Sequence, residues 1–156
     1  MIKLKSLIVN LLITLGGGAL IAFLTKDSMD IYSNLQQPPF SPPGIVFPIV
    51  WTVLYFLMAI SAYMIIESKS SMNIKKKALT IYGVQLFLNF IWPLIFFNTR
   101  MFLPALLVLI VLWVMILWMI GIFYRINSRA AFLQIPYALW LTFAAYLNLG
   151  VWVLNM

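Results

Sequence analysis

The side chains that most often perform acid–base, nucleophilic or metal chemistry are scarce in this 156-residue sequence. It contains no histidine and no cysteine. This excludes Ser-His-Asp and Cys-His nucleophilic sites, zinc sites built on those ligands, disulfides and the usual axial ligands of haem iron. The three acids, Asp27, Asp30 and Glu67, lie at or beyond the ends of long apolar runs. We therefore predict no carboxylate pair inside an apolar run, no metal site and no conventional catalytic residue.

The apolar runs do carry neutral hydrogen-bonding groups and large aromatic rings at helical spacing. Three helical faces have this character: Gln85, Asn89, Trp92 and Phe96; Trp51, Tyr55 and Met58; and Trp140, Ala144 and Asn148. Each face alone is compatible with ordinary packing, in which aromatic rings fill space and amides join helices. The three together are also what a cavity for a flat, aromatic, amphipathic ligand would need.

The elements that must position these faces are predicted to be transmembrane helices. Hydrophobic residues make up 65% of the chain and charged residues 8%, against roughly 45–50% and 25% in soluble domains. Five apolar runs are each about long enough to cross a bilayer once, and the expected spans are 4–24, 45–66, 78–97, 101–124 and 130–154. The first run also resembles a secretory signal, but it is longer than a usual signal core and no A-x-A site follows it. We expect an all-α membrane protein, a single domain of five helices over residues 1–156.

The basic residues predict the orientation of this bundle. Eight fall on one side of the expected membrane and two on the other: Lys3, Lys5, Lys69, Lys75, Lys76, Lys77, Arg125 and Arg129 against Lys26 and Arg100. The positive-inside rule then places the amino terminus in the cytoplasm and the carboxyl terminus outside, in a multi-pass protein of the cell membrane. Because topology accounts for the clusters, the net charge of +7 does not indicate a nucleic-acid partner.

The connection between the first two runs, residues 25–44, is the longest expected loop. It contains QQPPFSPPG (36–44), with four prolines in six residues. Each proline fixes φ and removes a backbone donor, so this segment should be extended and stiff. It is either a rigid spacer or a lid over the outer mouth of the bundle.

Several segments resemble the TspO/MBR family of tryptophan-rich sensory proteins and mitochondrial translocator proteins. They are PPFSPPG followed by VFPIVWTVLYFLMAIS, then QLFLNFIWPLIFF (85–97) and PYALWLTFAAYLN (136–148). Together they extend the resemblance over essentially the whole chain. It implies five transmembrane helices, commonly a homodimer in the lipid bilayer, that bind porphyrins and other hydrophobic aromatic molecules beneath the first loop.

The resemblance also implies most of the candidate ligand-binding residues. Matched by position, it implies that the tryptophans at 51 and 140 face the ligand cavity and that residues 89 and 92 of the third helix belong to the pocket. It also implies that residues 144 and 147 of the last helix form the facing wall, and that residues 32, 42 and 43 belong to the lid. The helical faces add positions 55 and 96. The full set is Tyr32, Pro42, Pro43, Trp51, Tyr55, Asn89, Trp92, Phe96, Trp140, Ala144 and Leu147. The chain departs from many members at Phe40, where they carry tryptophan, and lacks the basic residue of the animal sterol motif after Trp152.

The function that the resemblance implies is a membrane receptor or sensor for tetrapyrroles, acting in porphyrin homeostasis and the response to stress. Because histidine and cysteine are absent, metal-free protoporphyrin is the expected guest, and no cofactor is expected. One alternative is a light-dependent porphyrin-degrading enzyme, in which Trp51 and Trp140 are the candidate reactive residues. A second is facilitated transport of the tetrapyrrole, although no ionisable coupling residue lies inside a run. A structural membrane protein without a ligand is the plainest alternative.

Overall fold

The computed structural model describes residues 3–156, and these fold into helices joined by short connections. The elements are α1 (Leu4–Ser33), α2 (Val46–Ile66), α3 (Met72–Pro93), a π-helical segment (Leu94–Asn98), α4 (Phe102–Ile126), α5 (Ser128–Phe132) and α6 (Ile135–Leu154). Five stretches are long and apolar enough to cross a membrane, because α3 runs on into the π-helical segment and α5 with α6 form one span. The predicted all-α fold of five membrane-spanning helices is confirmed.

The five spans form a closed bundle. α1 packs against α2 and against α3 with its π-helical segment, α4 packs against α3 and α6, and α2 packs against α3 and α5. Outward-facing positions are also apolar, as at Ile49, Val53 and Phe56 on α2, which are exposed. Helices that are apolar on all sides suit a lipid environment, in which polar groups must turn inward.

Two helix boundaries differ from those expected. α1 continues to Ser33, so the expectation of a loop from residue 25 was wrong and the connection is confined to residues 34–45. α3 begins at Met72 rather than at residue 78. Both errors have one cause: polar and charged residues end an apolar run, yet they do not stop a helix, which continues beyond the hydrocarbon. The first residue that must stop α1 is proline, and none occurs before Pro38.

The third span changes geometry at Pro93, which lies at the last position of α3. Proline cannot donate to the preceding turn and its ring crowds the carbonyl four residues earlier. The chain continues as a π-helical segment over Leu94–Asn98, a form that often marks functional sites. Within it, the rings of Phe96 and Phe97 lie 6.2 and 5.8 Å from the ring of Tyr32 at the end of α1. This brings the ends of the first and third spans together.

Candidate ligand-binding cavity

A cavity of about 630 Å³ lies between α1, α2 and the end of α3, beneath the connection 34–45. Its size falls in the range of roughly 300–1,000 Å³ that small-molecule sites occupy. Most of its lining is apolar. The lining residues are Gly18, Ile21, Ala22, Thr25, Lys26, Met29, Asp30, Tyr32 and Ser33 of α1, Gln37 and 42–45 of the connection, Phe47, Pro48, Trp51 and Tyr55 of α2, and Trp92, Pro93 and Phe97.

Aromatic rings form one wall of the cavity. Trp51 and Tyr55 are stacked on α2, with ring centroids 5.4 Å apart and planes 28° apart. They are four residues apart and therefore lie one above the other on the helix. Trp92 contributes a third large ring from α3. Such a wall offers flat apolar faces to a planar ligand.

Gly18 allows α1 to approach this wall closely. A Cβ atom at this position would lie 2.3 Å from Cε2 of the Tyr55 ring. No side chain fits there without displacing Tyr55. The small residue therefore sets both the packing of α1 on α2 and the position of the Tyr55 ring.

A chain of hydrogen bonds closes the floor. The Tyr55 hydroxyl donates to Asn89 Oδ1 (2.7 Å), Asn89 Nδ2 donates to the Tyr137 hydroxyl (2.7 Å), and that hydroxyl donates to Gln85 Oε1 (3.0 Å). All four side chains are buried. Buried polar groups are costly unless paired, so the chain both stabilises the bundle and joins α2, α3 and α6.

The roof is the proline-rich connection, which is bonded to the end of α6. The Gln36 amide donates to Asn155 Oδ1 (3.0 Å), Asn155 Nδ2 donates back to the Gln36 carbonyl (2.8 Å), and the Tyr146 hydroxyl donates to the Pro39 carbonyl (2.8 Å). Pro38 lies over Gly150, where an added Cβ would be 2.5 Å from its ring. These contacts hold the connection, several of whose residues line the cavity, against α6.

Charged groups occur only at the mouth of the cavity. Lys26 and Asp30 line it and lie four residues apart on α1. Thr25 also lines it, with its hydroxyl donating to the Ile21 carbonyl (2.9 Å). Within residues 3–156 no cluster of His, Cys, Asp or Glu could hold a metal ion. The mouth thus carries one cation and one carboxylate above an apolar lining, and the Lys26 ammonium lies 4.4 Å from the centroid of the Phe23 ring.

The eleven predicted binding residues divide into two groups. Six line the cavity: Tyr32, Pro42, Pro43, Trp51, Tyr55 and Trp92. Five lie behind its walls: Asn89, Phe96, Trp140, Ala144 and Leu147. Asn89 belongs to the floor, while Phe96 packs on Trp92 with centroids 5.6 Å apart. The last span, α6, contributes no residue to the lining of this cavity.

The side chain that separates α6 from the cavity is Phe47. Its ring lies 5.6 Å from the ring of Tyr32 and 6.0 Å from that of Trp140, both edge-on. Trp140 is thus shielded, and its indole Nε1 is buried without a hydrogen-bond partner in the structure. Sequence reasoning did not single out Phe47 as a cavity residue, although it directly precedes the predicted aromatic face of α2.

Most of the other lining residues that sequence reasoning missed belong to α1; the rest are Gln37, Gly44, Ile45, Pro48, Pro93 and Phe97. Gly18, Ala22, Thr25 and Met29 recur at steps of four, three and four, which makes a continuous helical face. The close spacing of Gly18 and Ala22 indicated helix packing. The sequence signal that could have indicated a cavity wall was this face of α1, where the small residues Gly18 and Ala22 are followed by the longer Met29 near the end of the helix.

Comparison with known proteins agrees with this arrangement of helices and loop. Residues 9–153 match the sequence model of the TspO/MBR family. The chain belongs to the TspO/MBR family. It is 36% identical over 124 residues to the tryptophan-rich sensory protein of Cereibacter sphaeroides, covering 80% of this chain and 76% of that one.

Two further relatives show how widely the family is distributed. Identity to the translocator protein of Bos taurus is 34% over 146 residues, which cover 92% of this chain and 85% of that one. Identity to the tryptophan-rich protein TspO of Archaeoglobus fulgidus is 32% over 154 residues, 98% and 99% of the two chains. The family predicted from the motifs is confirmed. The protein is a multi-pass membrane protein of a family whose named members include sensory and translocator proteins.

Proposed function

We propose that the protein is a membrane receptor or sensor that binds a tetrapyrrole, with metal-free protoporphyrin as the preferred guest. The observation that supports this most strongly is a 630 Å³ cavity with a stacked Trp51–Tyr55 wall and Lys26 at its mouth. A porphyrin has two apolar faces and an edge bearing carboxylates, and this cavity has groups complementary to both. The names of the relatives, a sensory protein and a translocator protein, fit a receptor role.

In the proposed complex the macrocycle lies against Trp51 and Trp92, and its propionates reach the mouth. Lys26 is the cation that lines the cavity, whereas Arg100 is not among the lining residues. Asn89 acts indirectly, because its amide is engaged by Tyr55 and Tyr137. It holds the Tyr55 ring in place rather than bonding the ligand.

The predicted residues of α6 form a second wall that a ligand would reach only after Phe47 moves. Ala144 and Leu147 are buried, and Trp140 lies directly behind the Phe47 ring. The homodimer, the cell-membrane location and the cytoplasmic amino terminus belong to the same proposal as predictions.

Titration of the reconstituted protein with protoporphyrin, followed by tryptophan fluorescence, tests the proposal. We expect saturable quenching, with affinity several-fold weaker in Trp51→Phe because part of the stacking surface is lost. Trp113→Phe is the matched control, since this indole donates to Thr142 Oγ1 at 2.9 Å and does not line the cavity. Absence of saturable quenching at micromolar ligand would overturn the proposal.

The placement of Trp51 also supports a second candidate, light-dependent degradation of the bound porphyrin. Trp51 lines the cavity, so its indole would be the first to meet products of photoexcitation, whereas Trp140 is shielded by Phe47. The excited porphyrin and dioxygen would supply the chemistry. Illumination of the complex should yield a discrete product that Trp51→Phe abolishes while binding persists. Transport has less support, because the hydrogen-bonded floor closes the cavity towards the far side.

A further inference from the structure

A second groove lies at the opposite end of the bundle from the cavity. It measures about 360 Å³ and runs between the first half of α3 and the second half of α4. Its lining residues are Asn73, Lys76, Lys77, Thr80, Ile81 and Trp118. The five from α3 follow helical spacing and share one face, so the groove is a continuous strip along the helix. No part of it overlaps the cavity beneath the loop.

The two lysines of this groove have no acidic partner. Within residues 3–156 the one salt bridge joins Lys3 Nζ to Glu67 Oε2 at 3.1 Å, and the other two acids of the chain lie at the loop end. Lys76 and Lys77 are both exposed. Their charges are therefore available to an external anion.

The amino terminus of α3 adds to this positive field. The helix begins at Met72, and the preceding Ser71 makes no side-chain hydrogen bond to the first turn. The first N–H groups of a helix have no partner within it and carry a partial positive charge. Asn73, in that first turn, lines the groove and offers an amide donor.

The deeper part of the groove is apolar. Ile81 is buried and forms its base, while the Trp118 side chain on α4 is 55% exposed. Trp118 lies eight residues before the end of α4 at Ile126, about 12 Å along the helix axis. The groove thus passes from charged to apolar as it enters the membrane. A small soluble anion would use only its outer part.

We propose that this groove binds the headgroup of an anionic phospholipid. Its phosphate lies between the ammonium groups of Lys76 and Lys77 and the amino terminus of α3, and its glycerol and first acyl carbons pack on Ile81 and Trp118. Basic grooves between transmembrane helices at the positively charged side suit such headgroups. The site is independent of the cavity and of the ligand proposed for it.

Tryptophan quenching by brominated lipids tests this site. The protein is reconstituted in phosphatidylcholine vesicles with a small fraction of brominated phosphatidylglycerol, or with the same fraction of brominated phosphatidylcholine. We expect about five-fold or stronger preference for the anionic lipid, in line with the attraction of juxtamembrane lysines to such lipids. The excess quenching should disappear in Trp118→Phe.

A matched pair of double variants distinguishes lipid binding in this groove from attraction of the lipid by the overall positive surface charge. Lys76→Gln/Lys77→Gln should lose the preference, whereas Lys5→Gln/Lys69→Gln, which removes equal charge at the same end, should keep it. Lys76→Arg/Lys77→Arg should also keep it, and thermal unfolding verifies that each variant is folded. If a double variant fails to fold, the single substitutions carry the same comparison.

Two results would overturn the proposal. Equal loss in both glutamine variants would mean that surface potential alone attracts the lipid. Abolition of the preference by inorganic phosphate, but not by sodium chloride at the same ionic strength, would mean that the groove takes a soluble anion rather than a lipid.

Discussion

Helices α1 and α4 are both long and apolar, yet they bury different residues. The buried side of α4 consists mostly of large aliphatic side chains, with Leu109, Leu112 and Ile116 fully inaccessible. α1 is five residues longer and buries only Thr14, Gly18, Thr25 and Tyr32.

This difference shows how a membrane bundle makes room for a ligand. α4 fills its buried interface with branched side chains, and none of its residues lines the cavity beneath the connection. α1 presents glycine and small polar groups to α2 and α3, so the cavity opens on its side. The space therefore comes from the small size of the side chains that α1 presents to its neighbours.

The largest effect on stability should come from a substitution that leaves a void in the buried interface of α4. Leu112→Ala is expected to lower the free energy of unfolding by about 2–5 kcal/mol, because a fully buried leucine leaves a void. Affinity for protoporphyrin should change little. Denaturant unfolding in detergent micelles measures the first quantity and fluorescence titration the second. Val111→Ala, at an exposed neighbour, is the control, and an equal loss there would contradict the comparison.

A larger side chain on the cavity face of α1 should instead weaken ligand binding strongly. In Gly18→Leu the new side chain meets the Tyr55 ring and intrudes into the cavity, so we expect at least tenfold weaker protoporphyrin binding with about 1–3 kcal/mol of destabilisation. Gly16→Leu is the matched control, because nothing lies within 4 Å of a Cβ added there. Unchanged affinity in Gly18→Leu would mean that the ligand binds elsewhere.

Phe47 separates the cavity from Trp140 of α6, and its ring can be removed by substitution. In Phe47→Ala the cavity should extend to Trp140, so that protoporphyrin quenches that indole directly. We expect Trp140→Phe to change quenching several-fold in the Phe47→Ala background and hardly at all in the native one. Additive effects of the two substitutions would show that Phe47 does not separate them.

The smallest effect concerns the roof. Asn155→Ala removes the reciprocal hydrogen bonds to Gln36, and we expect ligand dissociation about five-fold faster, since exposed hydrogen bonds are worth about 1 kcal/mol. Stopped-flow fluorescence measures the rate. Asn34→Ala, whose side chain bonds only the local Asp30 carbonyl, should leave it unchanged. A faster rate in both variants would indicate general loosening of the connection.

Much of the fold was predictable because membrane spans have a strong local signal. Five runs of about 20 apolar residues predicted five helices, and the motifs from PPFSPPG onward predicted the family. The ends of α1 and α3 were not predictable in the same way. Hydropathy reports where the hydrocarbon ends, whereas a helix ends where the backbone can no longer continue.

The candidate site was predictable in part. The helical faces correctly grouped Trp51 with Tyr55, and the structure stacks these rings in the cavity wall. They also included Asn89 and Trp140, of which the structure places the first in the hydrogen-bonded floor and the second behind Phe47. Helical spacing shows which residues share a face, but it does not show which neighbouring side chain stands in front of them.

By itself, the sequence determined the class of protein and the available chemistry. Without histidine, cysteine or intramembrane acids, the chain has aromatic faces and neutral amides with which to hold a ligand. Tertiary structure decided where the empty space lies and which rings border it. That outcome depends on how closely the helices and the proline-rich connection approach one another, which Gly18 sets at Tyr55 and Gly150 sets at Pro38. Such contacts join residues distant in the chain, so no local pattern encodes them.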